Sequence, residues 1–425
     1  MAYFILIYSY KNVGRFLTAP EYSQAYCVDF RCYYAIASMM KNGNPHIYDS
    51  AENITYLKQA EIDKNPAGKI TYPPSFYFMM IPLTYIPLPV VVYFWTLSRY
   101  LLILLIAIML SYLVLKDNPD KAKIAIASIL FVALIYIFSP TLDDIFYGQV
   151  NIHILFLLSL SLLFLEKKMD VAAGIVLGLI FCLKFTSILV ILFFLVCRRW
   201  KVSLASLGAI LAVNLPILIL YKPGIYLDYI RKIPENLGLN MGHLNLSFQS
   251  KLAYFFEKTG ISTMMASKII ISLSILFSII IVIISFYFLY KNKEKKNYFL
   301  EYSLLITATI LVSPITWSYH YVLLFIPFAY LARYILFECN TGKLKTTLSI
   351  LLPALYLFIS VTCGMSGDIG YHSLKMILLR SGLHLIALMI IWIMILVVIF
   401  QRRERRGRRV SNEFNASDNY AGTVS

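Results

Sequence analysis

Charge is what this chain of 425 residues lacks most: Asp, Glu, Lys and Arg together make up only 14% of it, where soluble domains carry about a quarter. With 60% apolar residues and a mean hydropathy of +0.73, that scarcity excludes an ordinary water-facing fold. Cysteine is also sparse. The six, at 27, 32, 182, 197, 339 and 363, form no CxxC pair and no metal-type spacing, which argues against zinc-ribbon and dithiol redox chemistry. Cys182 and Cys197 lie inside apolar runs, where packing is the default role. The start, residues 1–10, is apolar but has no cleavage site, so no cleaved signal peptide is expected. Three Asn-x-Ser/Thr sequons, at Asn53, Asn245 and Asn415, are short enough to arise by chance.

What the chain does have is long apolar runs. Residues 101–115, 269–290 and 383–400 carry no charge and approach the roughly 20 residues that a spanning helix needs. The expectation is an all-α polytopic membrane protein of about 10–12 crossings, forming one domain over 1–400. Acidic residues number 22 against 38 basic, a net charge of +16. A nucleic-acid partner is not expected, because no aromatic-interleaved basic surface accompanies that charge. Instead the basic residues sit in short clusters between apolar segments: Lys116/Lys121/Lys123, Lys167/Lys168, Arg198/Arg199/Lys201, 291–296, Lys343/Lys345 and 402–409. That is the positive-inside pattern.

Tracing back from the Arg-rich tail (401–425, expected to be cytoplasmic and disordered, and able to touch anionic headgroups) gives spans at 382–400, 346–363, 319–336, 300–312, 267–290 and 203–221. A long outer loop is expected at 222–266. Further spans fall at 150–166, 124–138 and 91–115, with 139–149 outside. Segment 73–90 holds Pro73, Pro74, Pro82, Pro87 and Pro89 and reads as either re-entrant or spanning. If it is re-entrant, the loop 11–72 is outside as well.

Segment 171–197 has basic residues at both flanks and one charge, Lys184, in its middle. A single tilted helix would be roughly 40 Å long and would hold Lys184 near the bilayer centre at a cost of about 2.5–3.5 kcal/mol or more. A bent pair of short helices with Lys184 at the turn keeps both basic flanks inside, and is preferred for that reason. Irregular backbone at that depth is tolerated only within protein or beside water.

On this map the polar residues that are unusual for membrane segments gather at outer helix ends. They are Asp29 within Asp29-Phe30-Arg31-Cys32-Tyr33-Tyr34, then Tyr72-Pro73-Pro74, Asp143-Asp144, Gly148-Gln149-Val150-Asn151, Lys184, residues 245–249, and Ser313 through His320. Segments distant in sequence would thus converge on one face, as in a pocket between helices. Asp143 and Asp144 suit a divalent cation, but no third ligand is evident, so no metal or other cofactor is expected.

The order Asp-Phe-x-x-Tyr-Tyr (29–34), Asn-Gly-Asn-Pro-x-x-Tyr-Asp (42–49), Tyr-Pro-Pro (72–74), Gly-Gln-Val-Asn (148–151), Gly178-x5-Lys184 and Ser-Pro-x-x-Trp-x-x-His (313–320) resembles glycosyltransferase family 87. The resemblance spans about 25–330. It implies a GT-C membrane fold with an outer-face active site, in the cell membrane with a cytoplasmic C-terminus. It further implies an inverting transfer of a hexose, commonly mannose, from a polyprenyl-phosphate sugar to a glycan, lipid or protein acceptor. Asp29 would then be the general base, and Lys184 and His320 would bind the donor phosphate. Tyr33, Tyr72, Gln149, Asn151 and Trp317 would bind substrate. Each residue has a plainer alternative: a helix-cap carboxylate for Asp29, a snorkelling or ion-paired lysine for Lys184, interfacial packing for His320 and helix-end capping for Gln149 and Asn151. A transporter or flippase of a lipid-linked or small polar substrate is the alternative function, since charges at midplane and Pro/Gly-broken helices also mark those proteins. Against it, the polar groups favour one side and no matching halves are seen.

Overall fold

Every regular element of the computed structural model is helical. It describes residues 26–49, 56–58, 72–117, 119–237, 244–257, 263–292, 297–339, 342–363 and 378–421, with no strand among them. The apolar start and the sequon at Asn53 lie outside the described residues, as do large parts of the expected loop 11–72 and the stretches 238–243 and 258–262 of the loop 222–266. The described part of the loop 222–266 forms two helices, α10 (Gly224–Leu237) and α11 (Phe248–Glu257).

Among the described residues, six helices are long and apolar enough to cross a membrane. They are α3 (Leu88–Val114), α9 (Trp200–Tyr221), α12 (Thr263–Tyr290, apolar from Ala266), the segment Ser318–Glu338 that contains α14 (Phe325–Arg333), α15 (Gly342–Thr362) and α16 (Leu383–Ala421, apolar at its start). A seventh span is possible by length if α4 (Lys121–Ile137) and α5 (Ser139–Tyr147) count as one, but they meet at 67°. Ser139-Pro140 explains the bend: Phe138 is extended, and Pro140 sits in the first turn of α5, where its missing N–H costs nothing. Four apolar helices are shorter: α6 (Asn151–Glu166), α7 (Asp170–Leu183), α8 (Ile188–Val196, preceded by a 3-10 turn from Phe185) and α13 (Tyr298–Val312). The expected 10–12 crossings therefore resolve into full spans mixed with half-length helices. The basic tail, expected to lack regular structure, continues α16 as helix to Ala421.

Two short helices precede the spans. α1 (Val28–Lys41) has Asp29 in its first turn and Lys41 in its last, and is not among the helices able to cross. The proline-rich segment is not among them either. It is α2 (Pro74–Met80) followed by a 3-10 turn over Ile81–Tyr85, and each begins with proline in its first turn. Tyr34 Oη and Lys41 Nζ donate to the carbonyls of Ile86 and Thr84, at 2.9 and 3.3 Å, which docks α1 against this segment at the foot of α3.

The preferred bent pair around Lys184 is what forms. α7 ends at Leu183, and Lys184 is extended, with φ −163° and ψ 143°. Beyond it the chain folds back, for Ser187 Oγ donates to the carbonyl of Leu177 at 2.9 Å. Ten residues of continuous helix would hold those groups about 15 Å apart. The register with α9 confirms the reversal. Gly174 lies against Val202 and Ala205, Gly178 against Ser206 and Ala209, and Cys182 against Asn214, so α7 and α9 run in parallel. α8 must therefore return the chain to the level where α7 began, which puts both basic flanks of the hairpin at one end of the bundle.

Four pairs of opposite charge gather at that end. Arg199 binds Glu301 through both guanidinium nitrogens at 2.5 and 2.7 Å, and Lys116 binds Glu166 at 2.8 Å. Arg333 pairs with Asp117, and Arg402 with Glu338. Opposite it stand the polar residues that the sequence placed at outer ends.

The contact between α7 and α9 allows no side chain on α7. A Cβ at Gly174 or Gly178 would lie 2.4 Å from the carbonyl oxygens of Val202 or Ser206, the close backbone approach that small residues permit between membrane helices. By contrast, a Cβ added to Gly208 on α9 would meet nothing within 4 Å. Gly178→Ala is expected to destabilise the protein by about 1–3 kcal/mol through overpacking. Gly208→Ala should be neutral or stabilising, since glycine inside a helix costs roughly 0.5–1 kcal/mol. Thermal unfolding of the two variants in detergent should show opposite signs; equal shifts would remove the close crossing.

Candidate active site

The site is built around one turn. α5 ends at Gly148, whose φ of +75° favours glycine. A Cβ there would lie 2.8 Å from Phe30 Cβ and 3.0 Å from Cys27 Cα. The start of α1 thus packs directly on the turn, and the Cys27 N–H donates to the Phe146 carbonyl at 2.8 Å. Gln149 and Asn151 leave this turn towards two different partners.

Gln149 Nε2 donates to Asp29 Oδ2 at 2.5 Å. The direction of the amide follows from its other neighbours, because Tyr33 Oη and Tyr72 Oη both donate to Gln149 Oε1, at 3.1 and 3.0 Å. With the oxygen held by two phenols, the NH2 has to face the carboxylate. Asn151 is fixed the same way. Its N–H and Nδ2 donate to Asp144 Oδ2 at 3.1 and 3.0 Å, so its Oδ1 faces out and accepts from Lys184 Nζ at 3.0 Å.

Lys184 in turn lies 2.5 Å from His320 Nε2. The ammonium stands at the C-terminal end of α7, where the negative end of the helix dipole favours a cation, and 5.7 Å from the centre of the Tyr72 ring. His320 belongs to the 3-10 helix Ser318–Leu324, and its Nδ1 accepts from the backbone N–H of Trp317 at 2.8 Å. A neutral ring whose Nδ1 accepts carries its proton on Nε2, so the two nitrogens bond directly only when the Lys184 amine is uncharged and accepts from Nε2–H, and both can donate to an anionic oxygen placed between them. Two converging donors suit an anionic oxygen.

Asp29, Lys184, His320 and Trp317 are each only partly buried, whereas Tyr33, Tyr72, Gln149 and Asn151 are buried behind them. Asp29 lies on α1, which is not a membrane span. Burial raises its carboxyl to about 6, while the Gln149 hydrogen bond and the nearby Lys184 charge pull it back down. This is the range of a group able to take and release a proton near neutral pH.

All eight residues singled out in the sequence thus meet at one end of the bundle. The structure adds how they divide: Tyr33 and Tyr72 orient Gln149, and Trp317 contributes its main chain to His320. Asp143 and Asp144 take separate partners, since Ser318 Oγ donates to Asp143 and Asn151 to Asp144. No group of three His, Cys, Asp or Glu with metal-binding geometry occurs among the described residues. Asn245 is tied down as well. Its Oδ1 accepts from the N–H groups of Ser247 and Thr316 at 3.1 and 2.9 Å, and its Nδ2 donates to the Pro314 carbonyl at 3.3 Å, so it staples the loop that carries His320.

Sequence reasoning missed Arg99 and Trp95, on α3. Arg99 is fully buried and donates to the carbonyls of Asp144 and Ile145 at 2.9 and 3.0 Å. Trp95 Nε1 donates to the Gly148 carbonyl at 3.0 Å. The signal was present: an arginine inside a long apolar helix is expensive and is a functional candidate by default.

Comparison with known proteins gives one match, in which residues 70–314, more than half of the chain, fit the pattern of glycosyltransferase family 87. That segment includes Tyr72, Gln149, Asn151 and Lys184; Asp29 and His320 lie outside it. No curated protein matches the chain, and no solved structure does. The family match covers the Gly148 turn and the end of α7, though not α1 or Ser318–Leu324, and on it the chain belongs to glycosyltransferase family 87.

Proposed function

We propose that this membrane glycosyltransferase moves a hexose, mannose in the first instance, from a polyprenyl-phosphate donor to a glycan, lipid or protein acceptor outside the cytoplasm. The observation that carries the reading is the contact chain at one turn: Asp29 to Gln149 on one side, Asn151 to Lys184 to His320 on the other. It sets a carboxylate of near-neutral affinity for protons beside a pair of nitrogen donors, at the end of the bundle opposite the Arg199–Glu301 and Lys116–Glu166 pairs. By the positive-inside rule that end faces outward, leaving the C-terminus in the cytoplasm; the plasma membrane is the setting this reading assigns.

In the reaction, the acceptor hydroxyl oxygen attacks the anomeric carbon as the bond from that carbon to the phosphate oxygen breaks. The bonding pair leaves with the phosphate, whose added negative charge Lys184 and His320 stabilise. The hydroxyl proton passes to Asp29 and then to solvent. Attack opposite the leaving phosphate inverts the anomeric configuration. Lipid and sugar chemistry thus meet where a membrane-borne donor can present its headgroup to an aqueous acceptor.

The direct test incubates the purified protein with labelled polyprenyl-phosphate sugars, one at a time, and analyses products for transfer and anomeric configuration. No transfer from any of them, with donor translocated across vesicles instead, would replace this reading by a flippase. Asp29→Asn is expected to lower kcat by about 10²–10⁴ with folding and insertion unchanged, and wild-type turnover in that variant removes Asp29 from the mechanism. Lys184→Ala should raise the KM for donor far more than that for acceptor; an equal rise in both would make the lysine structural.

The pH profile is a further check. Asp29 works as the carboxylate, so kcat/KM is expected to fall about tenfold per unit below a pH of about 6. Gln149 donates to the charged form and holds the proton affinity down, so Gln149→Leu should move this acid limb to higher pH. A limb that stays in place would assign it to another group.

A further inference from the structure

The catalytic turn is held from behind by an arginine inside the bilayer. Arg99 lies mid-way along α3, a helix of 27 residues able to span the membrane, and no part of it reaches solvent. A guanidinium at that depth persists only if its donors are matched, and the matches run to the two segments that form the site. Nη1 donates to the carbonyls of Asp144 and Ile145, at 2.9 and 3.0 Å. These belong to the last turn of α5, where the Asp144 carbonyl also accepts from the N–H groups of Gly148 and Gln149, the latter at 2.9 Å, so the guanidinium adds to the hydrogen bonds that close the turn. Nη2 reaches Cys27 Sγ at 3.4 Å and Thr96 Oγ1 at 3.2 Å, and Cys27 is the residue before α1. One turn earlier on the same face, Trp95 donates to the Gly148 carbonyl and stacks on Phe30 with ring centres 4.6 Å apart.

We infer that Arg99, assisted by Trp95, is a positioning residue for sugar transfer: it clamps the C-terminal end of α5 to the start of α1 and so sets the reach from Gln149 to Asp29. The inference rests on the proposed role of Asp29. The hydrogen bonds of Arg99 run to the α5 carbonyls, Cys27 and α3 itself, and bypass Asp29 and the Lys184–His320 pair. Its effect passes through the backbone of residues 144–148, which fixes where Gln149 and Asn151 begin. A lysine keeps the charge but is a single point donor, unable to hold two carbonyls and the Cys27 side at once.

The test compares wild-type protein with Arg99→Lys, Trp95→Phe, Gln149→Leu and the double variant Arg99→Lys/Gln149→Leu, each checked for monodisperse behaviour and thermal unfolding in detergent. Arg99→Lys is expected to lower kcat roughly 10- to 100-fold, as small misplacements of reacting groups do, with little change in donor KM. Because the Gln149 contact loosens, its acid limb should move to higher pH, in the direction of Gln149→Leu, and the double variant should move no further than Gln149→Leu alone. Trp95→Phe removes the Nε1–H together with part of the ring that stacks on Phe30 and His153, and should shift the limb the same way by less. A merely structural arginine would lower stability and leave the limb of the folded fraction where it is, and that result overturns the inference. So do additive shifts in the double variant. If Arg99→Lys does not fold, Trp95→Phe decides alone, an unmoved limb counting against. Full activity in Asp29→Asn would sink the reading of the site itself, whereas an inactive Asp29→Asn beside an unaltered Arg99→Lys sinks only the positioning role.

Discussion

The structure depends on one close approach: the backbone of Gly148 against the first residues of α1, with no room for a Cβ between them. Because the two segments touch there, the carboxylate in the first turn of α1 falls within hydrogen-bond reach of the next residue after the glycine. The same turn starts α6, and so it also fixes the amide that faces Lys184. Two separate side-chain directions, one towards the Asp29 carboxylate and one towards Lys184, are thereby derived from one point on the backbone. Larger movable parts are not needed to explain how they come together.

A lipid environment explains why such a turn exists at one end and not throughout. In hydrocarbon each unmatched peptide group costs several kcal/mol, so irregular backbone collects where side chains or water can satisfy it. Here the ends of α5, α7 and α13 all break at the same level, and their backbone polar groups are met by Arg99 and Trp95, by Ser75 and by Asn245. At the other end the charges match each other. Arg199 and Glu301 are both nearly buried, a pairing in which loss of one partner would leave an uncompensated charge.

Much of this was readable from the chain. The basic clusters gave the end to which the hairpin around Lys184 returns, and the isolated lysine marked its tip. The polar motifs gave the eight residues that meet. What was not readable has physical reasons. Half-length helices look like full spans in a hydropathy trace: α6 and α13 are apolar nearly throughout and read as crossings, yet have only 16 and 15 residues. Asp29 was expected at an outer helix end, and it opens α1, a helix of 14 residues that lies against α2. Arg99 was overlooked because attention went to charges at helix ends, whereas its partners are main-chain carbonyls that a sequence does not display.

The staple at Asn245 has a consequence of a different kind. Asn245-Leu246-Ser247 reads as an acceptor for N-linked glycans, yet its amide nitrogen is the atom that holds Pro314, and the side chain is 1% exposed. Attachment of a carbohydrate needs that nitrogen free and the residue at a surface. Once the polypeptide has matured into this form, the tripeptide is sealed against such decoration, and an oligosaccharide added earlier would keep the histidine-bearing loop from seating.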